Sequence, residues 1–329
     1  MTDVERTAQP GIPEGRRRRR SGRGEVALVP EMTPTSYYGQ PVLKEPVWTP
    51  EIGVYLFTGG LAGASAMLAA AARAQGNHAL ARRALFTAFA GVSVSPVLLI
   101  KDLGVPRRFY NMLRVFKPTS PMSVGSWILS AAGTAVGAAT ACEVLGILPR
   151  VQRAAEVGGA LLGAPLATYT AVLLSDTAVP AWHEARQELP FVFAGSSLAS
   201  AGAAACLLTP TRDAAMARTL TVAGAALELA AVETLQRRLP SDVAEPYETG
   251  GPGRFGRAAK LLTAGGALGV AVGGRRRAVA SLGGLAVLAG AMCERWSVFT
   301  AGSASALDPR YTVGPQRRRM AERGHRSGR

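Results

Sequence analysis

Eight apolar stretches run through this chain, each long enough to be a transmembrane helix, and they constrain its fold more than any other feature. They extend approximately from Ile52 to Ala72, Ala84 to Leu103, Ser123 to Leu148, Val157 to Val179, Phe191 to Thr209, Thr219 to Leu235, Ala258 to Gly273 and Val279 to Phe299. Most are about 17 to 25 residues, the length a tilted helix needs to cross ~30 Å of hydrocarbon. They lack the alternation of apolar and polar residues that a closed barrel requires. The sequence therefore predicts an all-α integral membrane protein with eight transmembrane helices. The seventh stretch is the weakest, being short and holding Gly265, Gly266 and Gly269 among few large apolar residues, and its loss would leave an odd number of spans.

Averaged composition, 48% hydrophobic with a formal charge of +15, resembles that of a basic soluble protein, but the charge is segregated into tails and loops. The basic runs Arg16 to Arg20 and Arg317 to Arg319 have no interleaved aromatics for base stacking and no RNA-binding motif, so no nucleic-acid partner is expected. Basic residues beside membrane spans hold those segments on the cytoplasmic side. An even number of spans puts both tails on one face, and most of the 37 Lys and Arg fall on that face, although the loops alone divide almost evenly. Both termini are therefore expected in the cytoplasm, with the protein multi-pass in the cell membrane. Residues 1–46, rich in Pro, Gly and Arg, are expected to be a disordered tail. The membrane domain is expected over 47–302, in halves of about 47–186 and 187–302, followed by a disordered basic tail over 303–329. No secretory signal is visible, because the first apolar run begins only near Ile52.

Cys142, Cys206 and Cys293 each fall inside a predicted span with no C-x-x-C spacing, so they build no zinc, iron-sulfur or disulfide framework. His78 and His183 fall in loops and His325 in the C-terminal tail, leaving no histidine inside a span to ligate haem. Neither haem nor metal is expected in this chain.

The first and fifth stretches open alike, Leu56-Phe57-Thr58-Gly59-Gly60-Leu61-Ala62 against Val192-Phe193-Ala194-Gly195-Ser196-Ser197-Leu198. This suggests two four-helix halves related as parallel repeats. Gly59 with Gly63, and Gly133 with Gly137, sit four apart, a spacing that allows helix backbones to approach closely.

Ionisable residues inside spans normally face a cavity or one another, and they mark sites or pathways. With the tails defining one face, Glu51, Lys101, Asp102, Asp176, Glu228, Glu233, Glu294 and Arg295 all come out toward it, and only Glu143 lies toward the opposite face. Lys101 with Asp102, and Glu294 with Arg295, can also be read as interface residues snorkelling to water. The loop from Lys101 to Trp127 reaches the tail-side face with cations, aromatics and three prolines, and its amphipathic middle from Arg107 to Phe116 is suited to lie flat at the interface. Pro180, Trp182, His183, Glu184 and Arg186, between the fourth and fifth spans, join it on that face to line a wet pocket.

The D-L-G-x-P-x-R-F-x-x-M-L-R-x-x-K-P-x-S-P-M-S-x-G-S-W segment of this loop resembles the NrfD and polysulfide reductase membrane-subunit family. So do the Y-L-F-x-G-G-L-A-G opening of the first span and the Y-T-x-V-L-L-S-x-T-A-V-P-x-W-H-E segment of the fourth. The resemblance runs from about Ser36 to Phe299. It implies two four-helix bundles and a haem-free, quinone-reactive anchor, with no catalysis of its own. Such an anchor exchanges electrons with a ferredoxin-like iron-sulfur subunit and, through it, a molybdopterin oxidoreductase. It also implies a menaquinone or ubiquinone head group near Glu51, Tyr55, Lys101, Asp102, Tyr169 and Asp176. Tyr55 or Tyr169 would donate to a quinone oxygen, Asp102 or His183 would exchange protons, and Trp127 and Trp182 would wall the ring, although tryptophans at such positions also serve as a membrane-interface belt. Arg107, Arg108 and Arg114 are candidates for docking an acidic partner surface, and Glu228 and Glu233 for a proton path.

The leading expectation is thus a membrane subunit that passes electrons between the quinone pool and a peripheral partner. Two other readings compete. A secondary transporter with parallel repeats would place its carboxylates near the bilayer midplane, and a passive anchor would hold a redox complex to the membrane without quinone chemistry.

Overall fold

A computed structural model describes residues 42–44, 46–273 and 276–327, with side chains described as far as residue 320. The expected N-terminal tail, including Arg16 to Arg20, lies almost wholly outside the described residues. Helices follow in the order α1 (Pro50–Ala74), α2 (His78–Asp102), α3 (Phe109–Arg114), α4 (Pro121–Leu145), α5 (Pro149–Ser175) and α6 (Pro180–Glu184). They continue as α7 (Leu189–Leu208), α8 (Ala215–Arg238), α9 (Ser241–Glu248), α10 (Gly250–Val272), α11 (Arg277–Leu307) and α12 (Pro309–Ser327). Among the described residues there is no strand.

Seven of these helices, α1, α2, α4, α5, α7, α8 and α11, are long and apolar enough to cross a membrane. The chain is a multi-pass membrane protein. The weak seventh stretch is α10, which is helical over 23 residues but falls short of the others in apolarity. Arg254, Arg257 and Lys260 in its first half and the small residues of its second half account for the shortfall.

Local chemistry explains the boundaries. Proline at the first helical position starts α1, α4, α5 and α6, where its missing N–H has no helical partner to lose. Asn77 caps α2 by accepting from the Leu80 N–H at 3.0 Å, which starts that helix six residues before the predicted apolar stretch. Gly146, at φ 67°, closes α4 in the left-handed conformation that glycine adopts without strain.

The C-terminal tail departs from expectation. In place of a disordered segment from residue 303, α11 continues to Leu307 and α12 follows to Ser327. Arg318 and Arg319 hold α12 in place, donating to Asp242 on α9 and Glu184 on α6, each at 2.6 Å.

Helices α1, α2, α4 and α5 pack on one another, α7, α8, α10 and α11 do likewise, and α1 and α5 meet α7 between the two sets. Leu161, Leu261, Leu268 and Leu282 point outward, as lipid contact demands. The closest backbone approach between α1 and α5 is at Gly63 and Gly163, where a Cβ on either would run into the other's carbonyl oxygen. The expected close packing at Gly133 and Gly137 is not found: Gly137 has nothing within 4 Å of where a Cβ would lie, and Gly133 meets only Val92 at 4.0 Å.

Both ends of the membrane domain lie on one face, where Trp48 stacks on Trp182 of α6 and α12 bonds Glu184 of the same short helix. On the opposite face Arg73 pairs with Glu143 and Glu156, both at 2.7 Å, and Gln152 bonds both acids. Among the described residues, Arg73→Met would leave the buried Glu156 without a cation and Glu143 with only the more distant Arg82, at 3.8 Å. Loss of about 3 kcal/mol of stability is expected, read as a lowered unfolding midpoint of the detergent-purified protein.

Candidate functional site

Tyr55 is the centre of the most specific polar arrangement in the first half. It sits one turn inside α1, four residues after Glu51, on the stripe that faces α2 and α5. Its ring is 1% exposed and its hydroxyl has no hydrogen-bond partner among the described residues. A buried hydroxyl without a partner costs roughly 1–3 kcal/mol, a cost that a water or another acceptor in the recess would relieve. It lines a recess of about 30 Å³ together with Trp48, Asp102, Met112, Ser126 and Tyr169. That is room for a water or two, or for one oxygen of a larger molecule.

The recess walls are fixed by specific contacts. The Asp102 Oδ1 accepts from the Thr49 N–H and from the Thr49 hydroxyl, both at 2.8 Å, which ties the end of α2 to the start of α1. Trp48 stacks on Trp182 with centroids 5.4 Å apart. The Tyr169 ring lies against Gly125, where a Cβ would overlap it, so the Gly125-Ser126 step of the loop motif is what lets Tyr169 reach the recess.

A larger cleft of about 310 Å³ adjoins it between α2, α3 and α4, and the two share Leu99, Met112 and Ser126. Pro96 interrupts the hydrogen bonding of α2 beside this cleft, and Gly133 leaves the facing side of α4 open. Its lining is apolar apart from a few hydroxyls, with Phe89, Val92, Phe109 and Leu129 prominent. The chain thus combines an apolar slot with a polar tip.

Tyr55, Asp102 and Tyr169 are therefore brought together, whereas other residues expected beside them are not. Glu51 and Lys101 pair with each other at 2.5 Å and sit outside the recess lining. Trp182 is fully buried behind Trp48, its indole N–H donating to the Val298 carbonyl at 2.7 Å. It supports the wall and does not face the recess. His183, the next residue on α6, points away to solvent with its Nδ1 3.3 Å from the Ser175 carbonyl. Asp176 is exposed because α5 ends at Ser175 and the backbone leaves the helical phase there. Trp127 faces outward, edge-on to Phe116. Arg107, Arg108 and Arg114 are exposed on the short segment that carries Met112 into the recess. Trp48 and Thr49 were missed as site residues. The Thr49-Pro50 pair is a helix-start signal that places them at the mouth of α1.

The second half holds a separate polar cluster. Glu228, Glu294 and Arg295 are all at least 96% buried, at exposures of 2%, 4% and 1%. The Arg295 guanidinium donates to the Glu294 Oε2 at 3.0 Å, the Phe193 carbonyl at 2.9 Å and the Ser197 hydroxyl at 3.2 Å, and its Cζ lies 3.6 Å from the Phe193 ring centroid. Glu233 stands apart from it. Five residues beyond Glu228 on α8 it has turned to the outer surface, where it pairs with Arg237 at 2.8 Å. The cluster also lies deeper than the apolar stretches imply, because α8 and α11 run past their predicted ends to Arg238 and Leu307.

A family model described as polysulphide reductase, NrfD, matches residues 40–232, more than half of the chain and all of the recess and cleft. No curated protein matches the chain.

The contact between Gly125 and Tyr169 gives a direct test of the recess geometry. Gly125→Ala is expected to destabilise the protein by about 1–3 kcal/mol through overpacking. Adding Tyr169→Ala should recover much of that loss, so thermal midpoints of the two single variants and the double variant should be strongly non-additive.

Proposed function

The chain belongs to the NrfD polysulphide reductase family, and from that premise we propose that it is the quinone-reactive membrane subunit of a redox complex. It would carry electrons between the membrane quinone pool and a ferredoxin-like iron-sulfur subunit, which in turn serves a molybdopterin oxidoreductase. The observation that carries this reading is the unpartnered Tyr55 hydroxyl at the polar tip of an apolar slot.

The residues suit the class of molecule. A ring with an isoprenoid tail matches the apolar cleft of about 310 Å³ between α2 and α4, and one ring oxygen matches the small recess beyond it. Tyr55 would donate to that oxygen, with Tyr169 beside it. Asp102, oriented by its two bonds from Thr49, would hold or release a proton at the mouth of the recess. Leu99 and Met112, shared by slot and recess, would keep bulk water from the reacting end. A menaquinol or ubiquinol would supply two electrons and two protons on oxidation to the quinone, which would take them up again in the reverse direction, and this chain would contribute the binding and the proton handling.

In this reading α10 joins the seven apolar helices to give eight crossings in two four-helix bundles of the cell membrane, with both termini in the cytoplasm. The exposed Arg107, Arg108 and Arg114 would dock the acidic face of the iron-sulfur subunit next to the quinone site.

Titration of the purified protein with a quinone analogue, followed by tryptophan quenching, tests the proposal. Trp48 lines the recess and Trp182 stacks on it, so saturable quenching is expected. Tyr55→Phe removes one donor and is expected to weaken binding about five- to tenfold. Asp102→Asn should weaken it as well and lower the rate of quinol oxidation in the assembled complex. An absence of saturable binding by the wild-type chain would favour the passive anchor.

A further inference from the structure

The two halves are built alike around their clefts. The first-half recess lies among α1, α2, α4 and α5 with α3 between α2 and α4. A second cleft, of about 50 Å³, lies among α7, α8, α10 and α11 with α9 between α8 and α10. Both lie toward the face that carries the chain ends. Their chemistry differs: the first ends on tyrosines and one carboxylate, the second on the carboxylates of Glu228 and Glu294.

The second cleft reaches far into the membrane. Glu228 is ten residues before the end of α8, roughly 15 Å at about 1.5 Å per residue, and so close to the middle of that helix. Glu294 is likewise near the middle of α11. Gln236, Tyr247 and Lys260 line the same cleft, and Lys260 bonds Gln236 at 2.5 Å and lies 3.9 Å from the exposed Glu233.

The charge at its inner end does not balance. Two carboxylates face one guanidinium, and Arg295 spends its carboxylate contact on Glu294. Among the described residues Glu228 has no cation of its own, its Oε2 is buried without a partner, and so is the Oε1 of Glu294. The hydroxyls of Ser196 and Thr263 flank Glu228 but bring no charge. The other ionisable groups on the cleft are Lys260 and Tyr247, and the phenol of Tyr247 is held neutral because burial and the charge of Glu294 push its pKa well above the ordinary value. An uncompensated carboxylate at this depth would be prohibitively costly.

We propose that Glu228 and Glu294 form a binding site for one exchangeable proton, carried on Glu228 and reached from the terminal face through the cleft lined by Tyr247, Gln236 and Lys260. Arg295 is the positioning residue. By pairing with Glu294 it decides which of the two acids remains protonated. The site lies outside the recess of Tyr55 and stands whether or not that recess takes a quinone.

Infrared difference spectroscopy on the full chain in liposomes reads this directly. The wild type should give the carbonyl stretch of a protonated carboxyl at pH 7, and that band should move down on transfer to D2O. Glu228→Gln should abolish it. Glu294→Gln should abolish it too, because Glu228 then becomes the partner of Arg295 and ionises. Glu228→Asp, which keeps the acid, should shift the band without removing it. Absence of the band in the wild type at pH 7, its survival in Glu228→Gln or Glu294→Gln, or an unshifted band in Glu228→Asp would overturn the proposal. So would loss of the wild-type band in sodium but not potassium at constant pH, which would assign the site to a sodium ion.

Discussion

A helix interior inside a bilayer has no water to solvate a charge, so an ionisable group on a membrane-crossing helix must find its partner in the chain or give up its charge, and the rest of the fold is arranged to allow it. Glu51 meets Lys101, Arg73 meets Glu143 and Glu156, and Arg295 meets Glu294. The first two join different helices, and the third lies within α11 and orients Arg295 toward α7. Arg295 extends this furthest: it donates to Ser197 on α7, and Ser197 donates in turn to the Ala167 carbonyl on α5 at 3.4 Å. A polar thread thereby runs from the second half into the first through helices that are otherwise apolar.

Small residues make these encounters possible. With lipid outside, association between helices rests on close packing and on such bonds, since no hydrophobic gain separates a leucine against lipid from a leucine against protein. Gly63 and Gly163 bring α1 against α5, and the absence of a side chain at Gly60 leaves room for Ser197 and the Arg295 guanidinium. The same rule accounts for Gly125, whose missing Cβ is filled by the Tyr169 ring.

Much of this was legible in the sequence, and the failures have physical causes. The helices themselves and the shared terminal face follow from apolar length and its count, and the grouping of Tyr55, Asp102 and Tyr169 from the family resemblance of the three segments that carry them. The structure differs where helical phase, and not depth, decides direction. Glu233 follows Glu228 by five residues, about 140° around the helix, and so reaches the outer surface. Asp176 and His183 lie just past helix ends or on a one-turn helix, where no periodicity predicts a direction. The burial of Trp182 depends on Gly302, more than a hundred residues away, whose Cβ position its ring occupies. The helix over the C-terminal basic run is held by Asp242 and Glu184, which no local pattern in that run announces.

The stacked pair Trp48 and Trp182 has one further consequence. Trp48 walls the recess of the first half, while the Trp182 indole is bonded to Val298, a residue that lines the cleft of the second. Ala181, beside Trp182, accepts from the Tyr247 hydroxyl at 3.0 Å, and Tyr247 lines that cleft as well. The two chambers are therefore joined by a chain of direct contacts from Trp48 through Trp182 to Val298. Neither can widen at those contacts without displacing a residue of the other, so in this chain the geometry of one half is a boundary condition on the second.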